Sequence, residues 1–283
     1  MGSKKKISWF IKDNISNGKG IVLFTSDEGR KVFFEANDAG FLNSYFELSA
    51  QFLTSFEPSY SCGLSSLVMV LNTFGADPGR IWKDIYRWYK ETMLDHCVPY
   101  NIIANNGIVF QQFACMAACN NIDIEVICNA KESASLAEFR AICKEITSGR
   151  CDRILVCCYD RYSLDQIGTG HYTPIGGYHP ERDLVLVFDV SRYKYPLHWL
   201  PLESLWKSMK EIDPATGKRN WNWACDLTIK LHDSRSVIIF SCTALVSEIK
   251  FSNYLLGVNY WRKLKYETKY TVAIDLFHKW PPI

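Results

Sequence analysis

An excess of one charge is missing from this chain. Lys and Arg number 32 against 30 Asp and Glu, a net charge of +2 over 283 residues. No overall excess therefore points to nucleic acid or to an anionic membrane surface. Long apolar runs are missing too. The longest, such as Val237 to Val246, fall far short of the ~20 residues a membrane-spanning helix needs. The N-terminus carries Lys4, Lys5 and Lys6 but no apolar stretch behind them, so no secretory signal is expected. Met1-Gly2-Ser3 resembles a myristoylation start, but Lys6 stands where that motif takes Ser or Thr, and the segment reads as a basic tail. No internal repeat or low-complexity segment is visible. The composition excludes a disordered, collagen-like or coiled-coil chain.

What is present suits a globular protein. Apolar residues make up 48% and aromatics 14%, with nine Trp, enough for a sizeable core. The length allows one large domain or two small ones. Cysteine is abundant and odd in number, at eleven, with no small-scaffold spacing. That usage, without a signal, reads as mostly free thiols in a reducing cytosol.

The first half reads mostly helical. Phe41 to Leu53 and Leu64 to Phe74 carry apolar residues at helical spacing, the second stretch stopping at Gly75. Asp77-Pro78 reads as an N-cap and first turn for a helix carrying Ile81, Trp82, Ile85 and Trp88. Ser133 is the expected cap of a further helix through Leu136, Phe139, Ile142 and Ile146. The second half turns to strands. Ile154 to Tyr159 is a short apolar run, and Tyr172 to Tyr178 and Leu184 to Val190 flank a turn at His179 to Asp183. A helix from about Leu202 to Ile212, a turn at Asp213 to Gly217, and strands within Ile229 to Ile239 complete the expectation. Helices first and strands second predict an α+β fold, with a site between the helical and sheet parts.

Chemistry concentrates in three residues. Cys62 precedes Gly63 at a helix start, where unpaired backbone N–H groups and the helix dipole favour a thiolate. The same donors suit an oxyanion formed by attack from that sulfur. His171 begins the first hairpin strand, and Asp189 follows five apolar residues on the second. A hairpin centred near residue 181 sets His171 opposite residue 191, with Asp189 its diagonal neighbour on the same face. Asp189 can then orient the imidazole while the imidazole takes the thiol proton, a thiol-protease-type triad. Taken singly, each residue also suits a structural role: a buried Cys, a satisfied strand-end His, a loop-capping Asp. Arg161 and Arg192 fall near the same edge, where they suit the carboxylates of a small acidic substrate, with plain surface arginines the competing role.

Around these residues the sequence resembles the phytochelatin synthase family. The resemblance is carried by Glu57-Pro58-Ser59-Tyr60, Cys62-Gly63-Leu64-Ser65-Ser66-Leu67, Asp77-Pro78-Gly79-Arg80, Gly168-Thr169-Gly170-His171, Pro174-Ile175-Gly176-Gly177-Tyr178, Asp189-Val190, Lys194-Tyr195-Pro196, His198-Trp199 and Thr216-Gly217-Lys218-Arg219. It implies a papain-like fold, with an N-terminal extension over 1–24, a catalytic domain over 25–230 and a C-terminal extension over 231–283. It implies Cys62 as nucleophile, His171 as general base and acid, Asp189 as orienting residue, and Arg161, Arg192 and Tyr195 at the substrate surface. The implied substrate is glutathione. Its γ-glutamylcysteinyl group passes through a thioester to a second glutathione or a growing phytochelatin. The implied stimulant is cadmium or zinc, as activator or as metal–glutathione thiolate, with no organic cofactor. A cytoplasmic protein without nucleic-acid or membrane partners is expected, with a homodimer left open.

Three departures from the family pattern stand out. Ser61 is inserted between Tyr60 and Cys62. Ser55 occupies the place of an oxyanion-donating Gln, and Gln51 lies too far upstream to be equated with it. The Cys-rich C-terminal region is missing, with only Cys225 and Cys242 past residue 200. These leave two alternatives: a deglycinating hydrolase of the same fold, or a relative that only binds glutathione or metal thiolates. No metal site is predicted outright. His96-Cys97 and the Cys115/Cys119 pair, one helical turn apart, are the candidate thiolate contacts, with core packing the competing role.

Overall fold

A computed structural model describes residues 19–55, 61–95, 99–120, 122–128, 135–149, 153–213, 218–219 and 223–228. The N-terminal tail before 19, Glu57 to Tyr60, His96-Cys97, Ser133, Thr216-Gly217 and everything past 228 lie outside the described residues. In chain order the elements are β1 (Val22–Leu23), α1 (Asp27–Asp38), α2 (Asn43–Ala50), α3 (Cys62–Thr73), α4 (Tyr100–Asn106), α5 (Phe110–Cys119), β2 (Asp123–Cys128), α6 (Leu136–Ser148), β3 (Arg153–Asp160), β4 (Gly170–His179), β5 (Leu184–Val187), β6 (His198–Pro201), α7 (Leu202–Ser208), β7 (Ile212–Asp213), β8 (Lys218–Arg219) and β9 (Trp223–Thr228).

Seven strands form one antiparallel sheet in the order β1-β6-β5-β4-β3-β9-β2, and β7 and β8 form a separate pair. The period-two alternation of the inner strands explains the layering. Ile154, Val156 and Cys158 of β3 join the core formed with α1, α2, α3 and α5, whereas Leu155, Cys157 and Tyr159 join the core under α6 and α7. The fold is thus α+β, as expected, but helices cover both faces of the sheet. With both faces buried, the inner strands read as continuous apolar runs.

Local chemistry sets the helix ends. Ser135 and Glu138 form a reciprocal capping box on α6, so the cap lies two residues past Ser133. Arg140 of α6 then reaches the hairpin turn, bonding Asp183 through Nε and Nη2 at 2.8 Å each, while the Tyr178 hydroxyl donates to the same carboxylate at 2.7 Å. One expected helix is absent. Asp77 accepts from the backbone N–H of Gly79 at 2.9 Å instead of capping a helix, and Gly79, Lys83 and Asp84 have positive φ. Ile81 and Ile85 are 63% and 78% exposed, so no buried face rewards a helix there.

The hairpin forms, but its second strand ends at Val187 rather than Val190, so Asp189 lies just past the strand and not on it. Its register is Tyr178↔Val185 and His179↔Leu184 at the turn, then slips by one at a bulge to Ile175↔Val187. Beyond that bulge the centre is residue 181, the value that aligns His171 with residue 191. Gly176 marks the bulge. A Cβ there would sit 2.1 Å from the Phe188 ring, so only a side chain of hydrogen lets Phe188 close down just before Asp189.

Candidate active site

Cys62 owes its place to α3, a helix buried from Gly63 to Leu71 that packs across β4. Ser66 donates to the Tyr172 carbonyl at 3.1 Å, and a Cβ on Gly63 would meet Ile108 at 2.5 Å and Tyr172 at 3.3 Å. That close approach lays the helix start on the beginning of β4, where His171 sits. Cys62 is a partly exposed free thiol. Ser61, the residue before it, makes no side-chain cap to the helix. Its hydroxyl pairs instead with that of Ser55, and both residues are buried. The inserted serine and the serine in the glutamine's place therefore meet. This contact ties the approach segment to the helix start.

His171 pairs across the sheet with Tyr159, whose ring meets the imidazole edge-on at 5.6 Å. Its Nε2 lies 3.0 Å from Asp189 Oδ1, and both side chains are almost wholly buried. Nδ1 is then the nitrogen left for Cys62. Burial disfavours the Cys62 thiolate, but the charge and hydrogen bond of His171, together with the Tyr172 backbone N–H, outweigh it and lower the thiol pKa. Burial likewise works against the His171 charge, as does Arg161, yet Asp189 and Cys62 raise its pKa. Both shifts favour the thiolate–imidazolium pair. Asp189, buried though it is, is held well below the usual carboxylate range by Arg161 and His171.

The structure brings Cys62, His171 and Asp189 together. It places the three residues expected at the substrate surface differently from one another. Arg161 is 2% exposed, and its Nη2 lies 2.7 Å from Asp189 Oδ2 and 2.8 Å from Oδ1. The carboxylate it grips is the protein's own. Tyr195 is 1% exposed, lies 5.0 Å beneath the Arg161 guanidinium, and accepts from the Ile167 N–H at 2.6 Å. Arg192 alone of the three is exposed, lying over the Phe52 ring at 4.7 Å. Sequence reasoning missed the Tyr172 N–H at the sulfur, the Ser191 N–H that donates to Asp189 at 2.8 Å, and the internal role of Arg161. Backbone donors leave no residue-type signal. For Arg161, the signal was a buried carboxylate needing a cation.

Among the described residues no group of three or more His, Cys, Asp or Glu could hold a metal ion. Cys115 is buried and in a disulfide, so its sulfur has no thiolate to offer, and of the two roles weighed for it only packing remains. Also among the described residues, no helix is long and apolar enough to cross a membrane.

The sequence profile of the phytochelatin synthase family matches residues 13–221, most of the chain. This chain belongs to the phytochelatin synthase family. Among similar proteins, glutathione gamma-glutamylcysteinyltransferase 3 of Lotus japonicus is 45% identical over 194 residues, spanning 69% of this chain and 40% of its own length. Glutathione gamma-glutamylcysteinyltransferase 1 of Arabidopsis thaliana is 43% identical over 196 residues, with the same 69% and 40%. The Schizosaccharomyces pombe glutathione gamma-glutamylcysteinyltransferase is 37% identical over 202 residues, spanning 71% of this chain and 47% of its own. The chain thus matches less than half the length of each of these relatives.

Proposed function

We propose that this protein is a glutathione γ-glutamylcysteinyltransferase working through Cys62, and that its fold is papain-like. The observation that carries the reading is the place of Cys62 at the start of α3, beside a buried His171 whose Nε2 lies 3.0 Å from Asp189 Oδ1, within a chain of the phytochelatin synthase family. The thiolate attacks the carbonyl carbon of the Cys–Gly peptide bond of glutathione. The carbonyl oxygen takes the negative charge, next to the N–H groups at the start of α3. His171 gives its proton to the leaving glycine nitrogen, the C–N bond breaks, and a γ-glutamylcysteinyl thioester remains. The amine of a second glutathione, or of a growing phytochelatin, loses a proton to His171 and attacks. The C–S bond breaks and the Cys62 thiolate returns with His171 protonated. Cadmium or zinc enters as part of the substrate, the metal thiolate of glutathione. Arg192, exposed three residues past Asp189, suits a substrate carboxylate. The family domain over 25–230 and a cytoplasmic setting belong to the same reading.

Purified protein incubated with glutathione, with and without cadmium, tests this by mass spectrometry of the products. Oligomers of γ-glutamylcysteine ending in Gly are expected, more of them with cadmium, and Cys62→Ser should abolish them. Release of γ-glutamylcysteine and glycine alone would make the protein a hydrolase instead. No Cys62-dependent product at all would leave only a binding role.

A further inference from the structure

Arg161 raises a question that the thiol chemistry does not answer. Its guanidinium is buried and holds Asp189, so something must hold the guanidinium. Two buried side chains unused by the reaction do so. Arg161 Nη1 donates to Gln166 Oε1 at 2.8 Å. Gln166 Nε2 lies 3.3 Å from His198 Nε2, and His198 Nδ1 lies 2.8 Å from the Pro196 carbonyl oxygen. Gln166 and His198 are 4% and 0% exposed.

The polarity of this chain runs one way. A guanidinium only donates, so Gln166 must present its oxygen to Arg161 and its NH2 group to His198. His198 Nε2 must then accept, and Nδ1–H must donate to the Pro196 carbonyl, which can only accept. His198 is therefore a neutral imidazole with one tautomer; burial also lowers its pKa. The backbone reinforces the same contact. The Gln166 N–H donates to the Arg161 carbonyl at 3.0 Å, and the Arg161 N–H donates to Thr169 O at 3.2 Å. Tyr195 closes the remaining face of the guanidinium.

We propose that Gln166 and His198 are positioning residues for the nucleophile, acting through Arg161 and Asp189 on His171. The single amide of Gln166 couples the buried His198 to the guanidinium, and the guanidinium fixes the carboxylate that aims the imidazole. Small errors of aim are costly, since a misplacement of about 1 Å can lower rates ~100-fold. The proposal rests on the reading of Cys62 as nucleophile but not on glutathione as substrate.

The experiment is the pH dependence of Cys62 alkylation by iodoacetamide, in folded protein, with no glutathione present. Gln166→Leu and His198→Leu should each raise the midpoint of alkylation by at least about half a pH unit, because the imidazolium loses its aligned counter-ion. His198→Gln can accept from Gln166 and donate to Pro196, so it should stay near the wild-type midpoint. A simple packing role would not separate His198→Gln from His198→Leu. If the leucine variants do not fold, Gln166→Glu keeps the size and decides the matter. It cannot donate to His198 and competes with Asp189 for Arg161, so the midpoint should again rise. Wild-type profiles in folded Gln166 variants, or the same profile for His198→Leu and His198→Gln, would overturn the proposal. A wild-type protein without transferase products but with these shifts would retain the positioning chain and refute the substrate.

Discussion

Two residues of opposite tendency favour a thiolate at Cys62. The Cys62 pKa is lowered and the His171 pKa raised, and both shifts favour the thiolate–imidazolium form over the neutral pair. That form is lost at low pH as the thiolate takes a proton and at high pH as the imidazolium gives one up. Removing His171 takes away the largest opposition to burial at the sulfur and leaves only the Tyr172 N–H and the Arg161 charge. His171→Ala should therefore move the thiolate midpoint up, to or above the ordinary thiol value of about 8.5, as read from absorbance at 240 nm against pH. An unmoved midpoint would mean that the helix start alone activates Cys62. Asp189 and Arg161 make a second residue-scale prediction. The Asp189 pKa is depressed, so its contribution to stability is present above about pH 4 and is lost as pH falls toward the folded value. Asp189→Asn strands a buried guanidinium and should cost ~3–5 kcal/mol in denaturant unfolding. Arg161→Met combined with Asp189→Asn should restore much of that stability without restoring turnover. Additive losses in the double variant would show that the two side chains do not act as a pair.

At the scale of elements, the site is a crossing of one helix with one hairpin. Gly63 lets α3 approach β4, and Gly63→Ala puts a methyl against Ile108 and Tyr172. Overpacking of this kind should cost about 1–3 kcal/mol. Activity should fall further than stability because the sulfur moves with the helix start, and an initial-rate assay beside thermal unfolding checks it. These elements differed in how far the sequence disclosed them. The hairpin was readable because its turn residues and apolar runs specify it, which set His171 and Asp189 near one edge; the bulge at Gly176 and the end of β5 at Val187 were not legible. α3 was readable from its apolar spacing and from Gly75. The segment from Asp77 to Trp88 was misleading, because helical spacing of apolar residues says nothing of whether a partner surface exists. β1, β2 and β9 were not foreseen. β1 has only two residues, and β2 pairs with β9 from Asp123↔Thr228 to Cys128↔Trp223, far apart in sequence, a choice made by tertiary contact rather than by local propensity.

At the scale of the whole molecule, the described residues form a seven-stranded antiparallel sheet with helices on both faces, and the candidate reactive residues come from the start of a helix, one strand and the segment after the next strand. That distribution explains what could be read in advance. Cys62, His171 and Asp189 carry recognisable chemistry and neighbouring motifs, whereas Gln166 and His198 gain their meaning only once the chain brings them to Arg161. It also explains why Arg161 faces inward: a carboxylate with no exposed surface requires a cation beside it. The central claim is that Cys62 carries the γ-glutamylcysteinyl group between donor and acceptor. The most direct test is intact-protein and peptide mass spectrometry after brief incubation with glutathione and acid quench. A γ-glutamylcysteinyl thioester on the Cys62 peptide, absent from Cys62→Ser, is the expected result. Phytochelatin formation with an unmodified Cys62, or by the Cys62→Ser protein, would contradict it.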